Sequence, residues 1–144
     1  MFGRTHTLFG DDGINPEDIR QGGLGNCWFL SAVSALAAHP QRVEKIFLNP
    51  SGPLNPVGIY ALNFFTLGVP HTVVIDDFLP LRKGRNDEYF TLSANLGHDK
   101  DVWGALLEKA FAKLNGNYDH LASGDSTIAI QSLYGAPHGR YSHA

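Results

Sequence analysis

Gln21-Gly22-Gly23-Leu24-Gly25-Asn26-Cys27-Trp28-Phe29-Leu30-Ser31-Ala32-Val33-Ser34-Ala35-Leu36-Ala37-Ala38-His39-Pro40 decides how this chain folds. Its opening residues carry Gly22, Gly23 and Gly25, too many for a helix interior, where each glycine costs about 1 kcal/mol against alanine. From Cys27 the composition changes abruptly. Trp28, Leu30, Val33, Leu36 and Ala37 recur near helical spacing, and Phe29, Ala32 and Ala35 fill the faces between them. A helix that is apolar nearly all round belongs inside a protein. His39-Pro40 ends it, because a residue before proline avoids the α region.

The single cysteine of the chain therefore stands between a glycine loop and a buried helix. A helix N-terminus gathers unpaired N–H groups and the positive end of the helix dipole, which favour an anion. They favour the thiolate, the nucleophilic form of cysteine. Upstream stands Gln21, whose amide can donate. If the loop folds back, that amide and the Cys27 backbone N–H can converge on one carbonyl oxygen as an oxyanion hole. The residues alone also allow a plainer reading, with Cys27 as a small buried hydrophobe.

Outward from this stretch, residues 1–20 are polar and turn-rich, with Gly10-Asp11-Asp12-Gly13 and Asn15-Pro16 marking loop. Residues 49–58 hold three prolines and two glycines and read as a second loop. Ile59–Thr66 and His71–Ile75 are β-branched and aromatic runs around Leu67-Gly68-Val69-Pro70, which predicts a hairpin. Asp76-Asp77 closes the second strand, and the two carboxylates point to opposite faces, so they do not form an acid–base pair. Arg82–Asp87 reads as a charged turn. Asp99–Leu114 is the clearest surface-packed helix: Asp99 or Asp101 can cap it, and Trp103, Leu106, Leu107, Ala110, Phe111 and Leu114 form its apolar stripe. Glu108 and Lys113 are expected on its polar side, and Asn115-Gly116 ends it. The tail from Leu121 is rich in glycine and serine, with one apolar patch at Ile128–Leu133. The pattern is α+β.

Composition bounds the function. The 144 residues suit one domain, and 43% apolar content is ample for a core. A net charge of −3 with no basic block argues against nucleic acid as a partner. One cysteine forms neither an internal disulfide nor a cysteine-rich zinc site. The first residues have no apolar stretch of signal-peptide length, and Trp28–Ala38 is far shorter than the roughly 20 residues that span a bilayer. These features predict a soluble, intracellular protein. The glycine loop lacks a Gly-Lys-Ser/Thr ending and the third glycine of a dinucleotide fingerprint, so it is no phosphate cradle.

The segment Gln21–Leu30 resembles the active-site segment of calpains, the calcium-dependent branch of the papain-like cysteine proteases. Val74-Ile75-Asp76-Asp77-Phe78-Leu79-Pro80 resembles that family's strand-to-turn segment, and Val102–Tyr118 its second signature helix. The likeness runs in order over about residues 11–135. It implies the Cys-bearing first subdomain of a calpain core for residues 1–144, with 1–10 and 136–144 as flexible ends. Cys27 then matches the nucleophile and Gln21 the oxyanion donor. Ser123-Gly124 falls where the family has a Gly-Gly pair that holds the substrate backbone. The resemblance also implies Ca²⁺ held by carboxylates at Asp18 and Asp101 and by the carbonyls of Asp11 and Gly13. Read without the resemblance, Asp18 is a turn residue and Asp101 a helix cap.

Several positions depart from the family pattern. Asn26 replaces the common Asp before the cysteine, Pro16 replaces an arginine that pairs across the subdomains, and Asp125–Gln131 lacks the Glu-Gly-Phe-Glu run. In calpains the catalytic histidine and asparagine lie in a second subdomain. None of the seven histidines here has the Gly-His-Ala-Tyr context, and none of Asn15, Asn49 and Asn55 begins Asn-Pro-Trp-Gly. Two functions follow as expectations. One is a cysteine endopeptidase half, inactive alone, acting on polypeptide substrates with a His/Asn-bearing partner. The other is a non-catalytic calpain-like module whose cleft face binds a protein partner.

Overall fold

The computed structural model describes residues 6–50, 53–83, 89–91, 94, 101–139 and 141. The apolar run after Asn26 forms helix α1 (Cys27–Ala37), with Phe29, Leu30, Ala32, Val33, Leu36 and Ala37 buried. Proline ends it as expected, and the chain turns at once into a short helix, α2 (Pro40–Glu44). Pro40 sits at its first position, where a missing N–H leaves no hydrogen bond unmade.

The predicted hairpin is present as β1 (Ile59–Thr66) and β2 (Val69–Asp76), antiparallel from Ile59↔Asp76 to Thr66↔Val69. Its turn is shorter than expected. Only Leu67 (φ 51°) and Gly68 (φ 81°) form it, both left-handed as a tight two-residue hairpin requires, and Val69 and Pro70 belong to β2. Pro70 is tolerated because β2 is an edge strand. The other edge of β1 is covered by the segment after α2: Asn63 N–H donates to Ile46 at 2.8 Å, and Leu48 N–H to Ala61 at 2.8 Å. A second antiparallel pair joins β3 (Leu81–Lys83) to β4 (Tyr89–Thr91). Arg82 and Lys83, expected in a charged turn, are therefore in strand, and Gly84–Asp87 lie outside the described residues.

Helix α3 spans Trp103–Leu114. It begins later than expected; Asp99 lies outside the described residues, and Asp101 does not cap it. Its N-cap is Val102, without a side-chain bond. The Leu8 carbonyl meets this end, accepting from Trp103 N–H at 3.0 Å and Val102 N–H at 3.3 Å. Leu8 itself is fully buried at this contact. Glu108, expected on a polar face, is fully buried. The helix is enclosed on that side too, against Ala94 and Asn26. Gly116 (φ 104°) follows its end as expected.

The tail also contains a helix that was not expected, α4 (Ser126–Tyr134). Asp125 caps it by accepting from Thr127 N–H, and Gly135 in the left-handed region closes it. The helices meet through aromatic rings. Phe29 of α1 stacks on Phe111 of α3 with centroids 4.2 Å apart, and Trp28 and Phe64 lean on the same ring at 5.8 and 5.9 Å. The architecture is α+β: among the described residues, α3 and α4 pack on the β1–β2 hairpin, and β3–β4 forms a second small antiparallel pair. Among the described residues no helix is long and apolar enough to cross a membrane.

Candidate active site

The glycine loop folds back on itself. The Leu24 carbonyl accepts from Asn26 N–H at 2.9 Å and from Gln21 Nε2 at 2.9 Å, which ties Gln21 to the turn just before the helix. Nε2 carries two hydrogens, and Leu24 takes one of them. Cys27 is the first residue of α1 and is exposed, so the plainer reading of it as a buried hydrophobe does not hold. The Asn26 side chain makes no capping bond to the helix it precedes. The thiol is thus presented to solvent at the N-terminal end of a helix whose first turn has no side-chain cap.

Trp28 organises the surroundings. Its indole N–H donates to the Leu121 carbonyl at 2.9 Å, and the ring lies flat under Gly124. A Cβ at Gly124 would stand 2.4 Å from that ring, so this position requires glycine. Gly25 also packs against the same segment, with its Cβ position 3.0 Å from the Ala122 carbonyl oxygen. Ser31 and Ser126 hydroxyls meet at 3.3 Å. The structure therefore brings the Cys27 loop and the Ser123-Gly124 segment together, with both Ser123 and Gly124 exposed. The apolar spacing had marked Trp28 only as core; its indole N–H, a donor that needs a partner when half-buried, was the available signal.

Beneath the loop lies a polar cluster that the sequence did not reveal. Asn26 and Glu108 are buried, and Glu108 Oε2 accepts from Ala94 N–H at 2.7 Å. Burial pushes the Glu108 carboxyl above its usual range, while the facing Asn26 amide and the Ala94 N–H pull it back. Burial likewise pushes the Tyr118 phenol up, and the charge of Glu108 adds to the shift.

The residues implied for calcium are partly gathered. Asp18 is buried, and its Oδ2 accepts from Asn15 N–H at 2.8 Å and from Trp103 Nε1 at 3.2 Å. Asp101 is buried just before that tryptophan, in a bridge with Thr7. Asp11 is exposed, and Gly13 takes a positive φ of 81°. Among the described residues no group of three or more His, Cys, Asp or Glu side chains is arranged to hold a metal. His39, His71, His120 and His138 are exposed, and the His120 ring is bonded to the Asn115 carbonyl at 2.6 Å.

A family model described as calpain family cysteine protease matches residues 2–144. This chain belongs to the calpain family. A calpain of Schistosoma mansoni is 39% identical over 125 residues, which cover 85% of this chain and 16% of that protein. Calpain-5 of Caenorhabditis elegans is 39% identical over 129 residues, 86% of this chain and 19% of the relative. The human calpain-2 catalytic subunit is 36% identical over 124 residues, 85% of this chain and 17% of the relative. This calpain-family chain thus spans less than a fifth of the length of these relatives. The membership accords with the α+β first-subdomain architecture.

Proposed function

We propose that this chain supplies the nucleophile-bearing half of a calcium-dependent, calpain-type cysteine endopeptidase. Exposure of the lone thiol at the first residue of α1, behind a loop closed by Gln21, carries the reading. Cys27 Sγ attacks the scissile carbonyl. The Cys27 N–H and the Gln21 amide hold the developing oxyanion, and a thioester links the acyl group to Cys27 while the amine leaves. Ser123 and Gly124 line the substrate backbone, kept beside the nucleophile by the Trp28 clamp.

The proton taken from the thiol needs a base with its own orienting group. We assign that pair to a His/Asn-bearing second subdomain, so the 144-residue chain alone is incompetent in turnover. A lone reduced thiol suits an intracellular setting. Calcium would be held by Asp18 and Asp101 with the Asp11 and Gly13 carbonyls. The donors are all oxygen, as this hard cation requires, and both carboxylates are buried beside the Trp103 end of α3. When bound, the ion supplies positive charge that links the 11–18 segment to the start of α3.

A peptide probe carrying a thiol-reactive warhead tests the nucleophile. Rapid labelling of Cys27 that is abolished in Cys27→Ala, with turnover restored only when a His/Asn-bearing half is added, is the expected outcome. Labelling no faster than that of a small free thiol, with no turnover in the presence of the second half, would instead favour a non-catalytic module. Calorimetric titration reads the metal separately: heat with Ca²⁺ that disappears in Asp18→Ala supports the site, and no heat in the parent chain rejects it.

A further inference from the structure

The end of α1 away from Cys27 carries a groove that the proposed chemistry does not use. His39 and Pro40, where α1 passes into α2, form one side of it with Arg42 and Lys45, and Tyr134, the last residue of α4, forms the other. The hollow between them measures 470 Å³. It adjoins a smaller hollow of 150 Å³ that shares Arg42, Lys45 and Tyr134 and has Ile46, Phe65 and Leu133 as its apolar lining. Arg42 lies over the Tyr134 ring, 5.3 Å from its centroid, so the flat face of the guanidinium is engaged. Its N–H edge is not. Both Arg42 and Lys45 are exposed, and among the described residues neither side chain forms an ion pair with a carboxylate. Glu44 lies two positions from Arg42 and one from Lys45, separations that do not face each other on a helix. A chain of net charge −3 thus presents two cations side by side over an apolar hollow.

We propose that this groove binds an extended acidic segment of a partner polypeptide, with two alternate carboxylates on Arg42 and Lys45 and an apolar side chain in the smaller hollow. Arg42 and Lys45 are three positions apart in helical backbone, so their Cβ atoms stand about 5–6 Å apart on one face. Alternate side chains of an extended peptide point the same way about 6.6 Å apart, close to that spacing. A guanidinium stacked on an aromatic ring keeps its fork of donors for a carboxylate. The Asn63 side chain lines the smaller hollow and makes no hydrogen bond among the described residues, which leaves its amide to pair with peptide backbone. Charge and shape together select this occupant. Two cations are too few for a nucleic-acid backbone, whose binding comes from neutralising a row of phosphates. A free phosphate uses the cations and leaves the apolar hollow unfilled. The groove lies beyond the far end of the 11-residue α1, about 16 Å of helix from Cys27, so it stands apart from the assignment of the nucleophile.

Fluorescence anisotropy with a labelled peptide, Leu-Ser-Glu-Ser-Glu-Ser-Leu, tests the proposal on the full chain at low salt. Its alternate residues put two carboxylates and a flanking leucine on one face in either direction. The expected result is saturable micromolar binding that weakens by about fivefold in Arg42→Gln and again in Lys45→Gln, as the loss of one exposed charge pair implies. A peptide with glutamine for both glutamates should not bind, and one with serine for both leucines should bind several-fold more weakly. Thermal melts of the two variants, both at exposed positions, should match the parent. No binding at millimolar peptide, or equal binding by parent and both variants, overturns the proposal. Equal binding of the leucine and serine peptides, with displacement by equimolar inorganic phosphate, reduces the groove to a simple anion site and overturns it as a peptide site. Sedimentation of the chain alone as a dimer that Arg42→Gln dissociates assigns the groove to a second copy and overturns the acidic partner.

Discussion

Gly124 shows how little space separates the two halves of the site. A methyl group there overlaps the Trp28 indole, so either the ring or the 121–125 segment must give way. Gly124→Ala should destabilise the chain by about 1–3 kcal/mol, as overpacking does. Trp28 should become more exposed, and this can be read as a red shift in fluorescence, because the other tryptophan, Trp103, is fully buried. Glu108 provides a second test at the same scale. Its carboxyl is raised by burial, so the folded chain holds that proton more tightly than the unfolded chain does. Its contribution is therefore most favourable at acid pH, below the unfolded value, and is lost as pH rises through the raised folded value. Glu108→Gln removes this dependence. Relative to that variant, the parent should lose melting temperature as pH rises from the ordinary carboxylate range through the raised value of the buried carboxyl, measured by parallel thermal melts.

Among the elements, those with dense apolar spacing were legible. Helix α1 could be read because nearly every position from Trp28 to Ala37 is apolar or small, and β1 and β2 because β-branched residues flank a short break. Helix α4 was not legible. Ser126, Thr127, Gln131 and Ser132 dilute its period, and only its terminal residues, Asp125 and Gly135, marked it. Glu108 was missed for a different reason. Its burial is imposed by Asn26 and Ala94, which come from other segments, and spacing within one helix carries no record of them. In the site, the Cys27 and Gln21 segment was visible in the residues, but the Trp28–Gly124 contact was not, since it joins segments far apart in the chain. The hairpin turn supplies the prediction at this scale. Leu67 adopts φ 51°, strained for a side chain with a Cβ, and is 91% exposed, so it gains little from packing there. Leu67→Asn should raise stability by about 0.5–1 kcal/mol, measured by urea unfolding, because asparagine tolerates the left-handed turn.

At the scale of the whole molecule, the core depends on one ring. Phe111 touches Phe29, Trp28 and Phe64, and so links α1, α3 and the hairpin. Truncating a buried phenylalanine costs about 3–5 kcal/mol, a large share of the stability of a domain this size. Phe111→Ala should lower the melting temperature by on the order of 10 °C, with helix and sheet signals lost together in one transition.

The lysines of α3 have a wider consequence. Lys113 Nζ donates to the Val74 carbonyl at 2.7 Å, and Lys109 Nζ to the Asp76 carbonyl at 3.0 Å, to Phe78 at 2.6 Å and to the Asp76 carboxylate. Two ammonium groups thus occupy alternate acceptors along an outer strand that would otherwise offer a template to a neighbouring molecule. Chemical acetylation of these amines should remove their charge and uncover that edge, so the acetylated chain is expected to self-associate along β2, read by light scattering.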